Sequence, residues 1–375
     1  MNRHNWTRSE FVGLASLVMA VILVGCNAPL TPTAASVSPD AARPAFTPTS
    51  TAAPKPTLRP TLIPTPAPTA IPDELVWFGP NMGSVDFPDL FSNPQAWDKA
   101  RSKIDVFKFY TQNLLDDPCS ICGSDILHTF VGVDAFKSLA ESGIATAIEV
   151  GAVKEWGCTS DVTFGVADTV IRNVEDRGGR VDFLAMDEPL IGGGIVVNGS
   201  TCGYTMEQSA GATAKFIGRV HSAYPNMIVG DIEPYPHFSV AELEAWTDAV
   251  VADGQKPAFF HLDVDLERVR VEGQPVKADL QRLSQFFADR GIPFGVIFTS
   301  NWRAAGSDRA YFESTMGWVH TVDDAIGVPA HLIFQSWQGP APSRANEVPI
   351  NLPESDPPIY SHTRLILEGL AVFGR

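Results

Sequence analysis

Eight stretches of the chain are apolar over a strand's length, and in most of them one alternate face ends in polar or ionisable side chains at the C-terminal end. They are LVWFGPNMG (75–83), IDVFKFYTQ (104–112), ATAIEVGA (145–152), VDFLAMDEP (181–189), MIVGDIEP (227–234), AFFHLDVD (258–265), FGVIFTSNW (294–302) and LIFQSWQG (332–339). Helical patterning falls between them, near 93–102, 133–143, 162–176, 206–224, 277–289, 309–326 and 362–375, and a further helix opens at Ser239 and Glu242 with capping-box spacing. Strands alternating with helices imply parallel crossovers, and eight of them close a ring. The expected fold is α/β, a (β/α)8 TIM barrel. An open doubly wound sheet is the alternative, but no GxGxxG follows the first strand.

Residues two apart share a face of a strand. The inward polar positions therefore read as Asn81, Lys108 with Tyr110, Glu149, Asp187 with Glu188, Asp231 with Glu233, His261 with Asp263, Trp302, and Gln335 with Trp337. In this fold sites lie at the C-terminal ends of the strands. Strands four, five and six are neighbours, so their carboxylates crowd, and in a low-dielectric pocket they cannot all ionise at neutral pH. One protonated and one ionised carboxyl is the pair that glycosidic cleavage uses. The catalytic candidates are Glu188, Glu233, Asp187, Asp231 and Asp263. Lys108, Tyr110, His261 and Gln335 are candidates to hydrogen-bond hydroxyls, and Trp302 and Trp337 to offer flat faces to a sugar ring. Glu149 or Lys108 taken alone reads more readily as a barrel ion pair, His261 equally as a brace for Asp231 or Asp263, and Trp77 as core.

The ends change the picture of where such a barrel would work. Arg3, His4 and Arg8 precede the apolar run FVGLASLVMAVILVG and then Cys26. The run is shorter than the ~20 residues of a membrane span and reads as a signal peptide. Leu23, Val24, Gly25 and Cys26 resemble a bacterial lipoprotein cleavage box, which implies a lipidated Cys26, membrane attachment through that lipid and an exported protein; an ordinary secretory signal is the alternative. Residues 27–72 are Pro, Thr, Ala and Ser with hardly any charge, a composition that stays extended and serves as a tether. The expected organisation is a signal over 1–26, a linker over 27–72 and a catalytic barrel over 73–375.

The whole chain carries a formal charge of -16. Residues 1–72 hold five Lys or Arg and two Asp or Glu, leaving 22 basic against 41 acidic residues, or -19, in the remainder. So acidic a body has no electrostatic reason to bind nucleic acid; a neutral or cationic substrate fits better. Cys119, Cys122, Cys158 and Cys202 fall in the loops after strands two, three and four. In an exported protein they read as two disulfides bracing the rim, with a four-cysteine zinc site as the alternative.

At MDEP of strand four and SW of strand eight the chain resembles the (β/α)8 glycoside hydrolases. In the large retaining clan strand four ends in Asn-Glu-Pro, strand seven in the nucleophile Glu, and strand eight often carries a stacking Trp. The resemblance implies that Glu188 is the acid/base and Trp337 the stacking residue, with no cofactor and a carbohydrate substrate. Strand seven departs, ending FTSNW without a carboxylate, so Glu233 or Asp263 would have to serve as nucleophile or base. Two other readings remain open at this point. One is a metal-dependent barrel enzyme, isomerase-like or phosphodiesterase-like, with Glu188, Glu233, His261 and Asp263 on a divalent ion. The other is a carbohydrate-binding lipoprotein without activity.

Overall fold

The computed structural model describes residues 74–115, 127, 132, 134–196, 199–301, 306–337, 348–355 and 360–375. The expected lipidation site Cys26, the linker, Cys119, Cys122 and Trp302 lie outside them. Among the described residues no helix is long and apolar enough to cross a membrane.

Eight parallel strands pair in chain order and close on themselves as a (β/α)8 barrel. They are β1 (Leu75–Gly79), β2 (Val106–Tyr110), β3 (Ala145–Val150), β4 (Phe183–Asp187), β5 (Ile228–Tyr235), β6 (Phe260–Val264), β7 (Phe294–Phe298) and β8 (His331–Gln335). The helices are α1 (Asp89–Ser92), α2 (Asp98–Arg101), α3 (Ala135–Glu141), α4 (Ser160–Glu175), α5 (Pro189–Gly194), α6 (Met206–Ala223), α7 (Val240–Ala252), α8 (Leu266–Glu272), α9 (Val276–Asp289), α10 (Asp308–Ile326) and α11 (His362–Val372). The expected capping box opens α7, with Glu242 N donating to the Ser239 hydroxyl and Ser239 N to the Glu242 carboxylate.

Both faces of the sheet are buried, and the two resulting cores fix which side chains point inward. The lumen holds Trp77, Val106, Ala147, Phe183, Ala185, Ile232, Phe259, Ile297 and Ile333. The layer between sheet and helices takes the alternate residues, such as Phe78, Phe107, Ile148, Leu184, Met186, Val229 and Tyr235. Trp77 is fully buried at the centre of the lumen, its ring 5.0 Å from Phe183 and 4.9 Å from His261. Large rings leave no space beside them, so small residues face them. A Cβ at Gly230 of β5 would lie 2.3 Å from the Phe259 ring. Gly230→Ala is therefore expected to cost about 1–3 kcal/mol of stability, the usual range for overpacking; an unfolding midpoint equal to that of the parent would contradict this packing.

Several strands are shorter at their C-terminal ends than the apolar pattern suggests. The β1 to β8 ladder stops at Gly79 against Gln335, and β7 to β8 at Phe298 against Phe334. Asn81 is consequently a loop residue and a brace. It donates to Val348 O at 2.8 Å, and its own carbonyl accepts from Asn351 at 3.1 Å, tying the β1 loop to the 348–352 segment.

The glycine-rich stretch after β4, which reads as a long lid or binding loop, contains helix α5. Its glycines serve close approach: a Cβ at Gly192 would lie 2.0 Å from Val153 O and one at Gly193 2.4 Å from Ser209 Oγ.

Candidate active site

The C-terminal mouth of the barrel gathers four carboxyl groups and two lysines. On β2 the buried Lys108 points inward and donates to Glu149 Oε2 on β3 at 2.6 Å, and Gln335 Nε2 on β8 donates to the same oxygen at 3.2 Å. Burial pushes the Glu149 carboxyl upward against the opposing pull of Lys108. Tyr110, at the end of β2, donates to Ser336 O at 3.4 Å, and burial followed by the charge of Glu149 raises its phenol. These four side chains line one side of the mouth, with Gln335 Oε1 left without a partner among the described residues.

The second ion pair comes from a loop. Lys154, between β3 and α4, reaches Asp187 Oδ2 at 2.8 Å, and both side chains are largely buried. Burial lowers the lysine's pKa, but Asp187 and Glu188 outweigh it and raise it on balance. Lys154 is held by its own turn, where Gly157 N donates to Lys154 O at 2.8 Å. The disulfide Cys158 to Cys202 joins this loop to the segment before α6, and Cys202 Sγ rests 3.2 Å from Lys154 O. One of the two expected rim disulfides is thus present, and the other pair of cysteines falls outside the described residues.

Two carboxyl groups of the mouth have no partner among the described residues. Glu188 and Asp263 are half-buried, and no described residue hydrogen-bonds either side chain. Burial, reinforced by Asp187 and Asp263, pushes Glu188 up to about 8. Burial, then Glu149, pushes Asp263 up to about 7, with Lys108 opposing. The mouth therefore separates into two carboxyl groups held by lysines and two that have no partner among the described residues.

Glu188 also has an unusual backbone, with φ +49°, in the left-handed region. For a residue with a Cβ this costs about 1–3 kcal/mol and is over-represented at functional sites. It ends β4 abruptly. Glu188 N donates to Ile232 O at 3.0 Å, Pro189 takes the first helical position, and α5 departs at once.

Asp231 and Glu233 are not at the mouth. On β5 the lumen takes Ile228 and Ile232, so the odd-numbered residues face the helices. There Asp231 Oδ2 accepts from Trp246 Nε1 of α7 at 2.7 Å, and Glu233 Oε1 accepts from Leu190 N at 2.7 Å. Burial raises Asp231 to about 7; burial, then the charge of Asp231, raises Glu233 well above the carboxylate range. The expectation of an inward pair fails because both faces of a barrel strand are buried, so polarity does not reveal which face is the lumen.

His261 is inward but too deep to serve a substrate at the mouth. Its Nε2 lies 2.8 Å from Nδ1 of His331, its ring 4.4 Å from Phe259, and burial depresses its pKa strongly. It braces neither Asp231 nor Asp263. The quartet Glu188, Glu233, His261 and Asp263 therefore does not converge on one point, and among the described residues no group of three or more His, Cys, Asp or Glu is arranged to hold a metal ion. Trp337, just past β8, keeps 39% of its surface exposed.

Nothing in the sequence marks Lys154, since a single loop lysine carries no spacing signal. Nor does it mark His331, which opens β8 at the far end from the mouth.

No protein-family model and no curated protein matches the chain. Solved structures do. The catalytic domain of the GH26 endo-β-1,4-mannanase of Bacillus sp. JAMB-750 is 11% identical with a TM-score of 0.52, over 80% of this chain and 86% of that one. GH5_18 from Streptomyces cattleya, solved with GlcNAc, is 10% identical with a TM-score of 0.49, over 80% and 81%. A 2,3-dimethylmalate lyase of the PEP mutase/isocitrate lyase superfamily is 10% identical with a TM-score of 0.39, over 70% and 76%. The likeness is one of fold, so the chemistry has to be argued from the mouth itself.

Proposed function

We propose that the chain is a glycoside hydrolase acting on an oligosaccharide or polysaccharide, with Glu188 as general acid and Asp263 as its carboxylate partner. The observation that carries this reading is that these two groups have no partner among the described residues, beside two lysine-bound carboxylates. Glu188, protonated at neutral pH, gives its proton to the glycosidic oxygen as the bond to the anomeric carbon breaks. Asp263, ionised, meets the positive charge developing at that carbon, as nucleophile or as base toward water. Asp187, paired with Lys154, contributes the negative field that keeps Glu188 protonated. Lys108 and Gln335 both donate to Glu149, so the three shape the wall of the mouth, and Trp337 offers an aromatic face to a sugar ring. Asp263 takes the place that strand-seven Glu holds in the resembling clan, because β7 ends at Phe298 with Thr299 and Ser300 behind it.

Release of reducing ends from a panel of polysaccharides, with and without chelator, tests the proposal. Chelator-insensitive hydrolysis is expected. Turnover that vanishes on chelation would favour a metal-dependent barrel enzyme, and sugar binding without turnover a silent binding protein.

The pH dependence has a definite sign. The acid must be protonated, so activity falls as pH rises through about 8. Its partner must be ionised, so activity falls as pH drops through about 7. A bell of kcat/KM with a narrow neutral-to-alkaline maximum is expected, its limbs belonging to the interacting pair. An acidic optimum near the ordinary carboxylate range would contradict it.

A further inference from the structure

We infer that Glu233 is a positioning residue for Glu188: from the outer side of the barrel wall it holds the first turn of α5 and so fixes the backbone that presents the acid. The inference rests on the reading of Glu188 as proton donor.

Helix α5 is a poor helix on its own terms. It is six residues long, three of them glycine, and the side chain at its N-cap, Glu188, makes no capping hydrogen bond. Pro189 has no N–H to satisfy, so Leu190 N is the first donor left open by the turn. Glu233 Oε1 takes it at 2.7 Å, from a strand rather than from the helix's own cap position. Three further contacts close around the same turn: Glu188 N on Ile232 O at 3.0 Å, Gly192 N on Glu188 O at 2.8 Å, and Ser209 Oγ on Pro189 O at 2.7 Å.

The arrangement explains a costly choice. Glu233 is fully buried, with Oε2 lacking a partner among the described residues, and Asp231 two residues earlier on the same face likewise leaves Oδ1 unpaired. Burying two carboxyl groups in a helix-facing layer is unfavourable where an apolar side chain would pack. What the carboxyl supplies and an apolar residue would not is an acceptor that reaches Leu190 N. Its neighbour Ile232 holds Glu188 N through the backbone, so β5 grips the acid's turn on both sides of Glu188.

Three variants test this in the full chain: Glu233→Gln keeps an acceptor at the same reach, Glu233→Leu removes it, and Glu233→Asp withdraws it by one methylene. Each is read by kcat and KM separately, and by carbon-13 titration of the Glu188 carboxyl, assigned through the resonance lost in Glu188→Gln. The glutamine variant should keep both near the parent. Leucine and aspartate should lower kcat on the order of 10 to 10²-fold, the cost of misplacing a catalytic group, with KM little changed and the Glu188 titration displaced. If the leucine variant does not fold, the aspartate variant decides. Aspartate or leucine variants that fold and keep both the parental kcat and the parental Glu188 titration would overturn the inference. A parent without hydrolytic activity would sink the glycosidase reading instead, and the titration would still show whether Glu233 governs Glu188.

Discussion

Glu188→Gln is expected to lower kcat by at least ~10²-fold on substrates with poor leaving groups, the factor general acid catalysis typically supplies. Glutamine preserves the shape of the side chain and, with the left-handed turn held by β5 and Ser209, should leave the backbone in place. The proton is what is lost. The alkaline limb of the pH profile, which we ascribe to a carboxyl raised to about 8, should disappear with it, and activated substrates that need no protonation should suffer much less. Activity within a few-fold of the parent on unactivated substrates would move the acid elsewhere, with Asp263, raised to about 7, next in line. Unfolding midpoints measured alongside would separate a loss of chemistry from a loss of fold.

Removing the Cys158 to Cys202 bridge should have the largest effect on stability. The bridge closes a segment with a sequence separation of 44. Loop-closure entropy then assigns it about 4 kcal/mol, a large share of the ~5–15 kcal/mol of a typical protein. The double variant Cys158→Ser, Cys202→Ser should unfold at clearly lower denaturant than the oxidised parent and coincide with the parent under reductant. Equal midpoints for oxidised and reduced parent would contradict the assignment. An effect on activity is expected as well. The bridge secures the turn that carries Lys154, and a displaced Lys154 would leave Asp187 unpaired beside Glu188, raising the acid further.

The order of strands and helices was legible along the chain because each element announces itself locally. Parallel barrel strands are apolar on both faces, as in VFKFY and FGVIF, and Ser239 with Glu242 marks the start of α7 within four residues. Most of the charged groups at the mouth were equally legible. Lys108, Glu149, Asp187 and Asp263 lie on the alternate face that lines the lumen, and Glu188 follows where the strand breaks before Pro189.

The tertiary structure decided the rest, and the reason is the same burial that made the strands visible. When both faces of a strand are hidden, the sequence marks which residues share a face but not which face is the lumen. On β5 the lumen took Gly230 and Ile232, since the Phe259 ring leaves no space for a Cβ at Gly230. Asp231 and Glu233 went to the helices. Lys154 became part of the mouth through contacts with Asp187 and Cys202, 33 and 48 residues away. His261 was drawn into the core by His331, 70 residues on. Local pattern thus determined the elements, while contacts between residues far apart in sequence determined which carboxyl groups face the mouth and which are held by lysines.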